Sequence, residues 1–125
     1  MSTRSFIGKL NDDGSITGVY CHFDGYPDGV GATLKEHYQN PQKVDALLAL
    51  GDISSLGSEL GEKHRFESPT PGWTVAYHRD RGEDLAPNRV YPSVIDAVAQ
   101  SPQDLGAEYV YVFGPQGWAA FETKK

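Results

Sequence analysis

Turn-forming residues divide this chain into short segments, and they constrain the fold more than any other feature of the sequence. Glycine occurs 14 times and proline 8 times among 125 residues, about 18% of the chain against a typical ~12%. This share stays below the ~25–30% that is typical of disordered chains, and an aromatic content of 11% favours a packed core. We therefore predict a single turn-rich globular domain over residues 1–125.

Two of the turns lie between apolar segments and predict β-hairpins. Asp13 and Gly14 separate residues 4–10 from residues 15–23, which are rich in the β-branched and aromatic side chains typical of strands. A second turn, at residues 114–117, lies between two further apolar runs near the C-terminus. The sequence therefore predicts an antiparallel pair of strands at each end of the chain.

Two consecutive helices, or one helix broken at Pro41, are expected after the first hairpin. Residues 30–38 carry apolar side chains at helical spacing. Asn40 is a good N-cap, and Pro41 suits the first position of a second helix. Gly51 stands where a glycine in the left-handed conformation commonly ends a helix.

One more strand and one more helix precede the second hairpin. Residues 73–77 predict a strand, and Ser93 can cap a helix with Asp96 as its capping-box partner. Pro102 is expected to stop that helix. The order β-β-α-α-β-α-β-β predicts an α+β domain with a largely antiparallel sheet of about five strands and with helices packed on one face.

The charge balance limits the partners that the chain can bind. There are 11 Lys and Arg residues against 17 Asp and Glu residues, a net charge of −6. Generic nucleic-acid binding and binding to an anionic membrane both need a basic surplus, so neither is expected. No signal segment follows Met1 and no apolar run could span a bilayer, so we predict a cytoplasmic location.

Cysteine and histidine form no recognisable metal-binding or nucleophilic pattern. Cys21 is the only cysteine, which excludes an internal disulfide. On a strand it would point away from its neighbour His22, so we expect a small buried side chain rather than a nucleophile. The four histidines lack zinc-ligand spacing. We therefore expect no metal, no cofactor and no catalytic residue.

The densest polar and aromatic cluster begins where the second predicted strand passes into a glycine-rich loop. Tyr20, His22 and Asp24 would share one face of the strand, and a carboxylate beside an imidazole suits acid–base chemistry. The alternative is a solvated strand face, with Asp24 shaping the turn. Tyr26 and Asp28 extend the cluster into the loop, where exposed aromatic side chains are typical of protein-binding surfaces. All five are candidate binding residues.

Arginines form a second group of candidates. Arg79 and Arg81 follow the third predicted strand, and their guanidinium forks could bind a phosphate or a carboxylate. Arg4, at the start of the first strand, could join them if the strands are neighbours. The alternative is an exposed loop whose charges neutralise one another. The sequence leaves open whether these arginines meet the cluster at residues 20–28.

Several motifs resemble a family of small proteins encoded by phages and prophages. The most distinctive is the Tyr-Cys-His-Phe-Asp-Gly-Tyr-Pro run at residues 20–27, and residues 3–8 and 77–83 are similar as well. The resemblance covers most of the chain. It implies a small accessory phage protein that acts in the bacterial cytoplasm on host machinery. The family has no established activity or catalytic residue that could be assigned to this chain.

Two main functional hypotheses follow, and a structural component of the virion is a third. In the first, a small acidic phage-encoded protein binds and inhibits a host defence protein or complex without catalysis. In the second, a nucleotide- or small-anion-binding module, or a small hydrolase, uses residues 20–28 together with Arg4, Arg79 and Arg81. A homodimer is compatible with either hypothesis.

Overall fold

The structure is a computed structural model that describes residues 2–123 and holds seven strands, four α-helices and one π-helical turn. The chain-terminal strands are the hairpins that the sequence predicts. In chain order the elements are β1 (Ser5–Leu10), β2 (Ile16–Cys21), the π-helical turn (Pro27–Gly31), α1 (Ala32–His37), α2 (Pro41–Ala49), β3 (Ile53–Ser55), β4 (Val75–Ala76), α3 (Tyr77–Arg81), β5 (Arg89–Tyr91), α4 (Val94–Leu105), β6 (Tyr109–Gly114) and β7 (Gly117–Glu122).

All seven strands belong to one open sheet, in the order β4-β3-β2-β1-β6-β7, with β5 also paired to β2. The β1–β6 and β2–β3 pairs are parallel and the remaining pairs are antiparallel. The prediction of an α+β domain with a largely antiparallel sheet is confirmed. The sheet has two strands more than the five expected, because β3 and β5 are too short to show an alternating pattern. The strand predicted at residues 73–77 is present only as β4, since α3 begins at Tyr77.

The helices cover both faces of the sheet, which corrects the expectation that they pack on one. Ile7 packs in a core cluster with residues of α1 and α2, whereas its neighbour Phe6 packs in another with residues of α4. Successive side chains of a strand point to opposite faces, so the two clusters lie on opposite sides of β1. Each fully buried Ile or Phe contributes ~1.5–3 kcal/mol, which makes both faces part of the core.

Local capping signals are confirmed for two helices. The Asn40 side chain accepts a hydrogen bond from the Gln42 N–H (2.8 Å), and Gly51 follows α2 with a φ of +78°. The Ser93 hydroxyl oxygen likewise accepts a hydrogen bond from the Asp96 N–H (3.1 Å). These contacts satisfy backbone groups that a helix end leaves without partners.

Helix α4 continues through Pro102, where the sequence predicted its end. The helix extends to Leu105, and Gly106 ends it in the left-handed conformation with a φ of +71°. Proline removes one hydrogen bond from a helix, and its ring clashes with a carbonyl group of the preceding turn. Here that cost falls in the last turn, and the glycine cap that follows it satisfies the final carbonyls.

The helices of the described residues are short. The longest, α4, has 12 residues, and within residues 2–123 no helix combines the length and the apolar character that crossing a bilayer requires.

Candidate functional site

Residues 23–28, here called the aromatic loop, follow β2 directly and are fixed by backbone hydrogen bonds. The Phe23 N–H donates to the Ser54 carbonyl (2.9 Å), and the Gly25 N–H donates to the Thr3 carbonyl (2.8 Å). The loop is therefore attached to β3 on one side and to the residues before β1 on the other.

The centre of the aromatic loop is also anchored to the core. The buried Tyr111 of β6 donates its hydroxyl hydrogen to the Gly25 carbonyl (2.7 Å). Burial raises the pKa of Tyr111 well above its ordinary value, so the hydroxyl remains a donor. Gly25 itself has no room for a side chain, since a Cβ there would lie 2.7 Å from the Thr3 carbonyl oxygen and 2.9 Å from the Ser5 Cβ.

The side chains of the aromatic loop point outward. Phe23 is 44% exposed and Tyr26 is 42% exposed, and both Asp24 and Asp28 are exposed as well. The Tyr26 hydroxyl donates to the Asp24 carboxylate (3.2 Å), which raises the pKa of Tyr26 because the bond and the negative charge favour the protonated phenol. The loop thus presents two aromatic rings and two carboxylates on a fixed backbone.

Tyr20 and His22 lie together, as the strand alternation predicts, but Asp24 belongs to a different group. The Tyr20 hydroxyl and His22 Nδ1 are 2.5 Å apart. Asp24 has a φ of +58°, which ends the alternating geometry of the strand, and its carboxylate binds Tyr26. The imidazole of His22 is therefore partnered by a phenol.

Arg79 is bound inside the chain. Its guanidinium donates to both carboxylate oxygens of Asp80 (2.9 and 3.1 Å), to the Thr74 carbonyl (2.6 Å) and to the Leu60 carbonyl (2.8 Å). All three of its nitrogens are occupied, so Arg79 holds the long segment after β3 against α3 rather than a ligand.

Asp80 is the centre of this network, and sequence reasoning missed it. The carboxylate is buried and accepts hydrogen bonds from the N–H groups of Ala76 (2.8 Å) and His64 (3.2 Å), while His64 Nε2 lies 3.3 Å from it. Burial alone would raise the pKa of Asp80, but the hydrogen bonds from Arg79, Ala76 and His64 hold it below its ordinary value. The run of charges around Asp80 resembles an exposed loop, and no local signal marks the one buried member.

Arg81 lies on the surface. It pairs with Glu83 and stacks over the rings of Phe66 and Tyr77, 4.5 and 5.0 Å from the two ring centroids. The cleft that Arg4 and Tyr20 line contains neither Arg79 nor Arg81 and contains Arg89 instead. The two clusters of the sequence are thus not joined in that cleft.

Cys21 is fully buried, and burial raises its pKa to about 12. Only the thiolate reacts with alkylating reagents, so we expect iodoacetamide to leave the folded protein unmodified at pH 8 and to modify it once in denaturant. Mass spectrometry of both samples measures this. Rapid modification of the folded protein would show that the β2 end opens to solvent.

Within residues 2–123, no group of three or more His, Cys, Asp or Glu side chains is arranged to hold a metal ion. No family model, curated protein or solved structure matches the chain in comparisons with known proteins.

Proposed function

We propose that this chain is a small non-catalytic binding protein of phage origin whose aromatic loop binds, and thereby inhibits, a host defence protein with a basic surface. The observation that supports it is the exposure of Phe23 and Tyr26 on a backbone fixed by the core. Large aromatic side chains are the residues that contribute most to protein interfaces when a partner buries them.

The charge of the aromatic loop favours a basic partner. Asp24 and Asp28 flank the exposed rings, and residues 22–31 contain no lysine or arginine. An arginine of a partner can stack on an aromatic face and pair with a carboxylate at the same time. The net charge of −6 adds a longer-range attraction, which salt screens.

The fixed backbone strengthens the case for binding over a merely solvated turn. Ordering a flexible loop costs free energy at the moment of association. The hydrogen bonds of Gly25 to Thr3 and Tyr111, and of Phe23 to Ser54, are already present in the chain alone. Most of that ordering cost is therefore met by folding, before a partner arrives.

The resemblance to phage and prophage proteins supports a host protein as the partner. Its most distinctive run, residues 20–27, includes most of the aromatic loop. A small accessory phage protein with an exposed recognition loop fits inhibition by binding.

We expect the Phe23→Ser/Tyr26→Ser variant to bind the partner at least about tenfold more weakly than the wild type, because a hot-spot side chain costs about 2 kcal/mol or more when it is truncated. Tagged wild-type protein is used to recover a stoichiometric partner from bacterial lysate, and the affinity of the purified partner is then measured for both proteins at two salt concentrations. The affinity of the wild type is expected to fall as salt rises.

The matched control is Val90→Ser/Ile95→Ser, which removes two exposed apolar side chains (61% and 79% exposed) outside the loop. This variant is expected to retain wild-type affinity. Equal binding by all three proteins, or loss confined to the control, would contradict the proposal, as would failure to recover any stoichiometric partner.

A further inference from the structure

A second surface, on the α4 face of the sheet, collects side chains from β2, from β5 and from the residue just before β1. Arg4 stands two positions before Phe6, Tyr20 is paired with Phe6, and Arg89 stands two positions before Tyr91. Phe6 and Tyr91 both pack in the cluster under α4. Because side chains two apart on a strand share a face, Arg4, Tyr20 and Arg89 belong to that same face.

These residues line a polar cleft of about 530 Å³ at the C-terminal end of α4. A Cβ on Gly106, which ends α4, would lie only 2.7 Å from Arg4 Nη1, so the absence of a side chain there lets the guanidinium lie close to the helix end. The Arg4 charge also acts on Tyr20, whose pKa is raised by burial and lowered in part by this neighbour. The volume is within the ~300–1,000 Å³ of small-molecule sites.

The two arginines of the cleft have no ion pair and no side-chain hydrogen bond among residues 2–123, whereas Arg79 and Arg81 both have carboxylate partners. Two carboxylates also line the cleft, and each is engaged by the chain. Asp52 accepts a hydrogen bond from the Tyr20 N–H (3.0 Å), and Asp104 accepts one from the Tyr91 hydroxyl (2.9 Å). Among the charged groups of the cleft, only the two guanidinium groups lack a partner within residues 2–123.

We infer that this cleft binds a phosphate monoester of nucleotide size, with the phosphate held by the guanidinium groups of Arg4 and Arg89. Guanidinium forks bind phosphate oxygens in pairs, and Tyr20 and Gln103 supply further polar groups to the same cleft. The site differs from the anion site expected from the sequence, because Arg89 takes the place of Arg79 and Arg81. It is also distinct from the aromatic loop.

The two carboxylates of the cleft limit how much negative charge a bound ligand can carry. Arg4 and Arg89 are balanced by Asp52 and Asp104, so the lining has no net positive charge from these four residues. A single phosphate can lie against the arginines while hydrogen-bond donors of the ligand face the carboxylates. A triphosphate would place additional negative charge near Asp52 and Asp104, and like charges repel.

The test is a titration of the full chain, followed by ¹H–¹⁵N NMR, with adenosine monophosphate, adenosine, inorganic phosphate and adenosine triphosphate at constant ionic strength. Adenosine monophosphate is expected to shift the amide signals of Tyr20 and Gly106 saturably and to bind more tightly than the other three compounds. Arg4→Ala and Arg89→Ala are each expected to weaken its binding about tenfold or more, since each removes a charged donor that binds the phosphate oxygens.

Arg65→Ala is the control, because Arg65 is exposed and lies outside the cleft. It changes the net charge by the same amount and is expected to leave the affinity unchanged. The inference is overturned if adenosine monophosphate gives no saturable shift at millimolar concentration, if Arg65→Ala weakens binding as much as Arg4→Ala, or if the triphosphate binds at least as tightly. Unchanged thermal melting of the variants verifies that they are folded.

Discussion

Replacing Asp80 with asparagine is expected to lower the free energy of unfolding by about 3–5 kcal/mol, the typical cost of removing one partner of a buried ion pair. The variant keeps the size of the side chain but removes the charge that Arg79 binds through two nitrogens. It also gives the N–H groups of Ala76 and His64 a weaker acceptor or none. Chemical denaturation of the wild type and the variant measures the difference.

Asp84→Asn is the matched control, because Asp84 is an exposed carboxylate four residues along the chain. It is expected to change stability by less than about 0.5 kcal/mol, as surface substitutions usually do. A loss of similar size in both variants would contradict the role of the buried network.

The Asp80 network also predicts how stability depends on pH. The pKa of Asp80 is lower in the folded chain than the ~3.9 of an unfolded aspartate. A carboxyl group whose pKa is lower in the folded state contributes its full stabilisation at pH values above the pKa of the unfolded chain. This contribution is lost as the pH falls through the pKa of the folded chain. The stability difference between wild type and Asp80→Asn is therefore expected to be constant near neutral pH and to shrink below about pH 4. A difference that stays constant in strong acid would show that the carboxylate charge is not what stabilises the fold.

The features that the sequence predicts well are those decided by a few adjacent residues. The Asp13-Gly14 hairpin depends on a turn in which the Asp13 carboxylate accepts hydrogen bonds from Ser15, and the Asn40 cap depends on a group two residues away. Such contacts join residues within one turn of the chain, so the residue types that make them can be recognised in the sequence.

The features that the sequence does not reveal are those created by contacts between distant segments. Asp80 is buried because residues 60–74 fold over it, and Arg89 reaches the cleft because β5 pairs with the start of β2, opposite Gly18. Strands of two or three residues carry no periodicity that could place them in a sheet. The presence of Arg89 in the cleft with Arg4 and Tyr20 therefore could not be predicted without the topology.

Replacing Gly25 with alanine is expected to lower the free energy of unfolding by about 2–4 kcal/mol, from overpacking and from the displaced hydrogen bond of Tyr111. The new methyl group would lie within 3.0 Å of atoms of Thr3, Arg4 and Ser5. Gly114→Ala is the control, since its Cβ would meet Leu10 at an ordinary 3.7 Å. Thermal and chemical denaturation of both variants measure the effect, and equal losses would contradict it.

The same substitution separates the position of the aromatic loop from its composition. Gly25→Ala keeps the Phe23 and Tyr26 side chains but forces the loop backbone away from Thr3. Partner binding is therefore expected to weaken although no interface side chain is removed. Tyr111→Phe tests the same link from within the core, because it removes the hydroxyl that binds the Gly25 carbonyl and leaves the loop sequence unchanged. If binding depends on a loop held ready by folding, both variants lose affinity while folded. If both fold and bind as the wild type does, the loop adapts to its partner and the fixed backbone is not what recognition uses.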